Sequence, residues 1–236
     1  MAIYPYETEP LTDFSKEGNI KLYLEALKNV QSILGKEYPL IIGSTRIMTD
    51  HLYTSLNPAN HLEIVGKIAQ AGLKEANLAM ETALKTFEIW KKVSASTRAD
   101  VLFKTANIIR RRKHFFSALM TIEAGKPWPE ADADTAEAID FLEYYGRQML
   151  TLSRVDDVVL SRKNMERNEY KYIPLGVGAI ISPWNFPLAI LTGMTSAAVV
   201  SGNTVILKPA QTTQVIAYYF VEALKEAGLP EGVVSF

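Results

Sequence analysis

Asn185 stands in the segment Ser182-Pro183-Trp184-Asn185-Phe186-Pro187, inside a run from Tyr172 to Leu207 that carries no charged side chain. A neutral carboxamide offers hydrogen-bond donors and an acceptor without a change of protonation state, so its place in an uncharged run raises the question of what it faces. Pro183 and Pro187 restrict the backbone on either side and would hold Trp184 and Asn185 in set directions. By chemistry alone, Asn185 serves equally well as a helix cap or a turn residue. Lys208-Pro209-Ala210-Gln211 is the second polar group of interest. There, chemistry alone favours a solvated lysine ahead of a proline-fixed turn.

The elements around these segments give them a shared location. Val177–Ser182 reads as a strand, Pro187–Val200 as a helix, Thr204–Leu207 as a strand, Thr213–Ala227 as a helix ended by Gly228, and Gly232–Phe236 as the opening of a third strand. Strand–helix–strand–helix–strand implies parallel crossovers and a doubly wound sheet. Ligands on such sheets bind beyond the carboxyl ends of the strands, where both polar segments fall. No GxGxxG follows the first strand, so the usual dinucleotide fingerprint is missing. The sheet reads as truncated, because a parallel sheet needs further strands on its edge.

Upstream, apolar spacing predicts a helix over Lys16–Leu34, short β-rich pieces at Leu40–Ile42 and Glu63–Ala69, and helices at Leu73–Trp90, Ser96–Arg112, His114–Ala124 and Pro129–Leu150. Charged, alternating residues from Leu152 to Tyr172 suit a hairpin or extended arm. The expected fold class is therefore α/β. A helical N-terminal part (1–151) leads through an arm (152–172) into an incomplete Rossmann-like parallel sheet (173–236).

Composition narrows the chemistry. The 236 residues are 48% hydrophobic with a formal net charge of -1, enough for a sizeable core and no sign of a nucleic-acid or anionic-membrane surface. Prolines and glycines break the uncharged run, so a membrane span is not expected. The basic run Arg110–Lys113 reads as a solvated helix end. There is no cysteine, which excludes disulfides, thiolate metal sites and a cysteine nucleophile within these residues. His51, His61 and His114 are scattered, so no metal site is expected. The acidic N-terminus has neither signal-peptide nor transit-peptide character, which points to a cytoplasmic location.

PWNFP, GNTVILKPA and EAGLPEGVVSF resemble the aldehyde dehydrogenases, and the resemblance runs through essentially the whole chain. SLNPANHLEIVGKIAQAG, EAGKPWPEADADTAEAIDFLEYYGRQM and TGMTSAAVVSGNTVILKPA are similar to the branch that oxidises L-glutamate γ-semialdehyde, the 1-pyrroline-5-carboxylate dehydrogenases. The resemblance implies that Asn185 holds the oxyanion formed when a cysteine thiolate attacks the aldehyde. The uncharged surroundings would keep that donor in a dry site, where it counts for more. It further implies that Ile181, Ser182, Pro183 and Trp184 line a groove for NAD, that Lys208 and Gln211 meet the adenosine ribose, and that Phe186 lies beside the aldehyde tunnel. Glu137 falls where the branch places a substrate-side carboxylate. Without the resemblance, Asp132, Asp134, Glu137 and Asp140 read as a solvated face.

The arm corresponds to the family's oligomerisation hairpin, implying a homo-oligomer. Many NAD-preferring relatives carry glutamate where Gln211 stands. NAD is thus expected as the working cofactor, with NADP also accepted. The family's cysteine, general base and glycine-rich segment are absent here, so the chain reads as the N-terminal part of such an enzyme, inactive alone. The alternatives are a non-catalytic cofactor-binding or interaction protein, a subunit completed by a second chain, and a different aldehyde substrate.

Overall fold

Residues 5–154 and 170–236 are described by the computed structural model of the chain. The first helix, α1 (Glu17–Gln31), buries Tyr23, Ala26 and Val30 at helical spacing. Five strands follow: β1 (Lys36–Tyr38), β2 (Leu40–Ile42), β3 (Thr45–Ile47), β4 (Leu52–Asn57) and β5 (Asn60–Ala69). They form a sheet of order β1-β5-β4, with β1 parallel and β4 antiparallel to β5, and a β2–β3 hairpin.

The sequence pattern anticipates β2 and most of β5 but not β1, β3 or β4. In β4 the usual alternation is inverted: Ser55 and Asn57 are buried while Leu52 and Leu56 are exposed. Those buried polar groups are satisfied across the fold, Ser55 by Glu123 at 3.2 Å and Asn57 by Glu63 at 2.6 Å. An apolar-periodicity search cannot find a strand whose inward face is polar.

Helices α2 (Leu73–Trp90), α3 (Ala95–Arg111), α4 (Lys113–Ala124) and α5 (Trp128–Leu152) fall within two residues of their predicted ends. Local chemistry explains the boundaries. The Ser94 hydroxyl accepts from Thr97 N to cap α3, and Gly125, at φ +68°, closes α4 in the left-handed region. Pro127 then disfavours helix at Lys126, so the chain turns there before Pro129 starts α5 in its first turn.

The last third alternates strand and helix: β6 (Val177–Ile181), α6 (Ala189–Val200), β7 (Thr204–Lys208), α7 (Gln214–Glu226) and β8 (Val234–Ser235). These strands are all parallel, in the order β6-β7-β8. Beyond β8, Phe236 and Ile41 exchange both backbone hydrogen bonds at 2.8 Å, joining β2 to the sheet. Thr204 donates to Ala83 O of α2, so alternation turns Thr204 and Ile206 to α2 and leaves Val205 and Leu207 for the core.

One hydrophobic cluster runs from Tyr23 of α1 to Val234 of β8. Trp90 is fully buried within it and its indole N–H donates to Val199 O at 3.0 Å, so the ring carries no unmet polar group. Truncating such a side chain to alanine costs about 3–5 kcal/mol. Helix α5 lies between α3 and α6 at close range. A Cβ on Gly146 would stand 2.6 Å from the Phe103 ring, and one on Gly193 of α6 would stand 3.0 Å from Phe141. No helix of the described residues is long and apolar enough to cross a membrane. The predicted arm at 152–172 falls largely on residues 155–169, outside those described.

The acidic side of α5 is not the solvated face that its sequence suggests, although Arg111 and Arg112 of the basic run are exposed. Asp132 and Asp134 are each only 1% exposed. Asp132 accepts from the backbone and hydroxyl of Thr12 and pairs with Lys113 at 2.9 Å. Asp140 accepts from Glu9 N, while Arg110 bridges Glu9 and Glu143. The N-terminal segment is thereby strapped along α5. Helical periodicity marks which residues share a face but not what an incoming segment, more than a hundred residues away, lays upon it.

Candidate functional site

The parallel register pairs Ile181 with Lys208, so β6 and β7 end side by side and release both polar segments at one edge of the sheet. Ser182 turns inward and is buried, with a hydroxyl that has no partner among the described residues. Ile181, Pro183, Trp184, Asn185 and Phe186 are exposed, Trp184 by 64%. Pro187 and Leu188 return to the core, and α6 begins at Ala189, two residues later than the sequence predicts.

Asn185 is not the cap of this helix. Leu188 occupies the N-cap position and gives no side-chain hydrogen bond, whereas the Asp134 carboxylate, from α5, accepts from Ala189 N at 2.7 Å. The Asn185 carboxamide has no hydrogen bond to the described residues. Its backbone oxygen accepts from Lys126 Nζ at 2.9 Å.

That ammonium also pairs with Asp134 at 2.7 Å and lies 4.5 Å from the centroid of the Phe186 ring. The surroundings are therefore charged, and not uncharged as the neighbouring sequence suggests. The charges come from the turn between α4 and α5 and from α5 itself rather than from neighbouring sequence. The one local signal was Gly125-Lys126-Pro127, a helix stop followed by a proline-fixed lysine.

Glu137 shares a face of α5 with Asp134 and Phe141, at spacings of three and four. It is half-buried, and burial raises its carboxyl pKa, with the Asp134 charge adding to the rise and Lys126 opposing it. Burial likewise raises Asp134, against the pull of Lys126 and of the Ala189 N–H.

Lys208 Nζ meets only the Pro209 carbonyl, at 3.4 Å, and has no carboxylate partner among the described residues. Gln211 opens a short 3-10 turn (Gln211–Thr213) and is exposed. Both line a mostly apolar cavity of about 510 Å³ with Gln70, Ala76, Ile206 and Ser235. The Ser235 hydroxyl is buried and has no partner among the described residues. Trp184 lines a second cavity, of about 480 Å³, with Ser55, His61, Glu123 and Thr212. The 209–213 turn contributes to both cavities and stands between them.

Glu123, which the sequence reading did not single out, anchors this turn. Its two carboxylate oxygens accept from Val215 N and Ile216 N, both at 2.8 Å, at the start of α7. The carboxylate complements the positive end of that helix. Burial nevertheless pushes its pKa up to about 7, against those N–H groups and the Ser55 hydroxyl.

Comparison with known proteins supplies the context for this arrangement. The model of the aldehyde dehydrogenase family matches residues 47–236. The chain is 56% identical over 234 residues to the 1-pyrroline-5-carboxylate dehydrogenase of Geobacillus kaustophilus (strain HTA426), covering 99% of this chain and 45% of that protein. It is 57% identical over the same length to the Bacillus cereus (strain B4264) protein of that name, again covering 99% and 45%. It thus spans under half the length of these curated relatives. Among solved structures, a Thermus 1-pyrroline-5-carboxylate dehydrogenase with bound NAD superposes with a TM-score of 0.96 at 44% identity, over 100% of this chain and 46% of that one. A Brucella melitensis aldehyde dehydrogenase gives 0.78 at 28% identity, over 86% and 42%.

Proposed function

Because this chain belongs to the aldehyde dehydrogenase family, we propose that it is part of an NAD-dependent enzyme that oxidises L-glutamate γ-semialdehyde to L-glutamate. The observation that carries the reading is the side-by-side exit of the Ser182–Pro187 and Lys208–Gln211 segments from register-paired strand ends, with a carboxamide on one and a cation on the other that have no side-chain partner among the described residues.

The residues present fit a dinucleotide. An ammonium with no carboxylate beside it among the described residues, an exposed carboxamide and a Ser235 hydroxyl without a partner among them border one cavity, a donor set suited to ribose and phosphate oxygens. Lys208 and Gln211 hold the adenosine ribose, and Ile181, Ser182, Pro183 and Trp184 form the wall towards the nicotinamide. When bound, NAD supplies the hydride acceptor. NADP is accepted to a lesser extent.

The chain's own catalytic contribution is Asn185. Its carboxamide is free to donate to the oxygen of the aldehyde carbonyl as negative charge develops there, and it needs no proton of its own to move. Phe186 lies beside the aldehyde. Glu137 faces the α-ammonium of the semialdehyde. These 236 residues contain no cysteine, so the attacking thiolate comes from outside them. By the same reading, residues 1–151 and 173–236 form the helical and Rossmann-like parts of the cofactor-binding domain, and 152–172 serve contact between subunits.

The test is cofactor reduction followed by absorbance, with L-glutamate γ-semialdehyde as substrate. The full-length enzyme carrying this sequence is expected to turn over, and residues 1–236 alone are not. Turnover by the purified 236-residue chain would overturn the assignment of the nucleophile.

A further inference from the structure

A single ion pair grips the Asn185 loop at three points. Lys126 Nζ donates to Asn185 O at 2.9 Å and sits 4.5 Å from the Phe186 ring centroid, while its partner Asp134 accepts from Ala189 N at 2.7 Å. The pair is well shielded, with the Lys126 side chain 10% exposed and the Asp134 side chain fully buried. Buried ion pairs contribute little net stability, because desolvation offsets the attraction. What this pair does supply is geometry. Pro183 and Pro187 limit the backbone on each side, and no hydrogen bond from the described residues aims the Asn185 side chain. Its direction is therefore inherited from the backbone that Lys126 holds.

We propose that Lys126, itself fixed by Asp134, is a positioning residue that sets the direction of the Asn185 carboxamide. The catalytic consequence rests on the oxyanion reading of Asn185; the positioning does not. Lys126 is placed for this by the left-handed Gly125 and by Pro127, which turn the chain out of α4 and into α5. Asp134 lies one and a half turns into α5 and reaches both Lys126 and the start of α6. Two helices and the loop thus meet on one pair of charges.

Two alterations of the full-length enzyme test this. Lys126→Met combined with Asp134→Asn removes both charges, so no carboxylate is left unpaired, and the asparagine oxygen can still accept from Ala189 N. Lys126→Arg keeps a counterion for Asp134 and so protects folding, but its longer planar head cannot reproduce the contact with Asn185 O. In each, amide hydrogen exchange of the 184–190 peptide is expected to rise by on the order of tenfold, with exchange across α7 unchanged. The value of kcat is expected to fall by roughly tenfold to a hundredfold, as for a misplaced catalytic group, with the KM for NAD held within about twofold.

In an Asn185→Ala background the same changes should lower kcat by less than about twofold further, since both act through one group. Unchanged exchange at 184–190, or a full additional loss of kcat in the Asn185→Ala background, overturns the positioning role. If Asn185→Ala leaves kcat intact, the oxyanion reading fails by itself, and the exchange measurement still decides whether Lys126 holds the loop.

Discussion

Glu123 and Val215 are joined by a 2.8 Å hydrogen bond across 92 residues of sequence, from the end of α4 to the first turn of α7. The same carboxylate accepts from Ile216 N and Ser55 Oγ, so one buried group ties a helix start, a strand and the turn that carries Gln211. Removing it would leave two backbone N–H groups without partners inside the protein, at about 1–3 kcal/mol each.

The Glu123 pKa lies near 7 in the folded chain against an ordinary value of 4.5, so the folded state binds more protons between those limits. Its contribution to stability is then complete below about 4.5 and is lost as pH rises through about 7. Glu123→Gln cannot titrate. The melting temperature of the wild type, relative to this variant, is expected to fall as pH is raised from 4.5 to 7.5. A constant difference across that range would show that the N–H groups hold the carboxylate ionised throughout.

Asn185→Ala in the full-length enzyme is expected to lower kcat by on the order of a hundredfold to a thousandfold, the usual effect of removing one oxyanion donor. Cofactor affinity should change little. Because Asp134 rather than Asn185 receives the Ala189 N–H, the melting temperature should also hold. A kcat that holds while stability collapses would return Asn185 to a purely structural role.

Glu137→Gln should raise KM for the semialdehyde roughly tenfold or more through loss of a charged hydrogen bond to its ammonium group. Simple aliphatic aldehydes lack that group and should be nearly unaffected. Steady-state kinetics with both substrates makes the comparison, and equal effects on the two would remove Glu137 from the substrate side.

Gln211→Glu is expected to reduce kcat/KM with NADP by on the order of tenfold more than with NAD. A glutamate would accept from the ribose hydroxyls yet repel a 2′-phosphate, which the neutral amide does not. Lys208, with no carboxylate partner among the described residues, remains available to that phosphate in the wild type. If the wild type already excludes NADP as strongly as the variant does, the shape of the pocket sets the choice.

The amino-acid sequence by itself determined the helices, the strand–helix alternation after Val177 and the family, because each is written in local periodicity, caps and contiguous motifs. It placed Asn185 and Gln211 just beyond the strand ends and Lys208 at one of them, and the parallel register makes those two strands finish side by side. It did not reveal that β4 turns Ser55 and Asn57 inward, that Asp132 and Asp134 are buried, or that Arg110 and Lys113 are bound to carboxylates. Those features depend on partners far away along the chain, as with Lys126 and Asn185, 59 residues apart. A charged side chain looks the same in sequence whether water or a buried counterion solvates it. Only the packing of α4, α5 and the loop before α6 decided which, since bringing them together removes the water and leaves the ion pair to satisfy the backbone groups of Asn185 and Ala189.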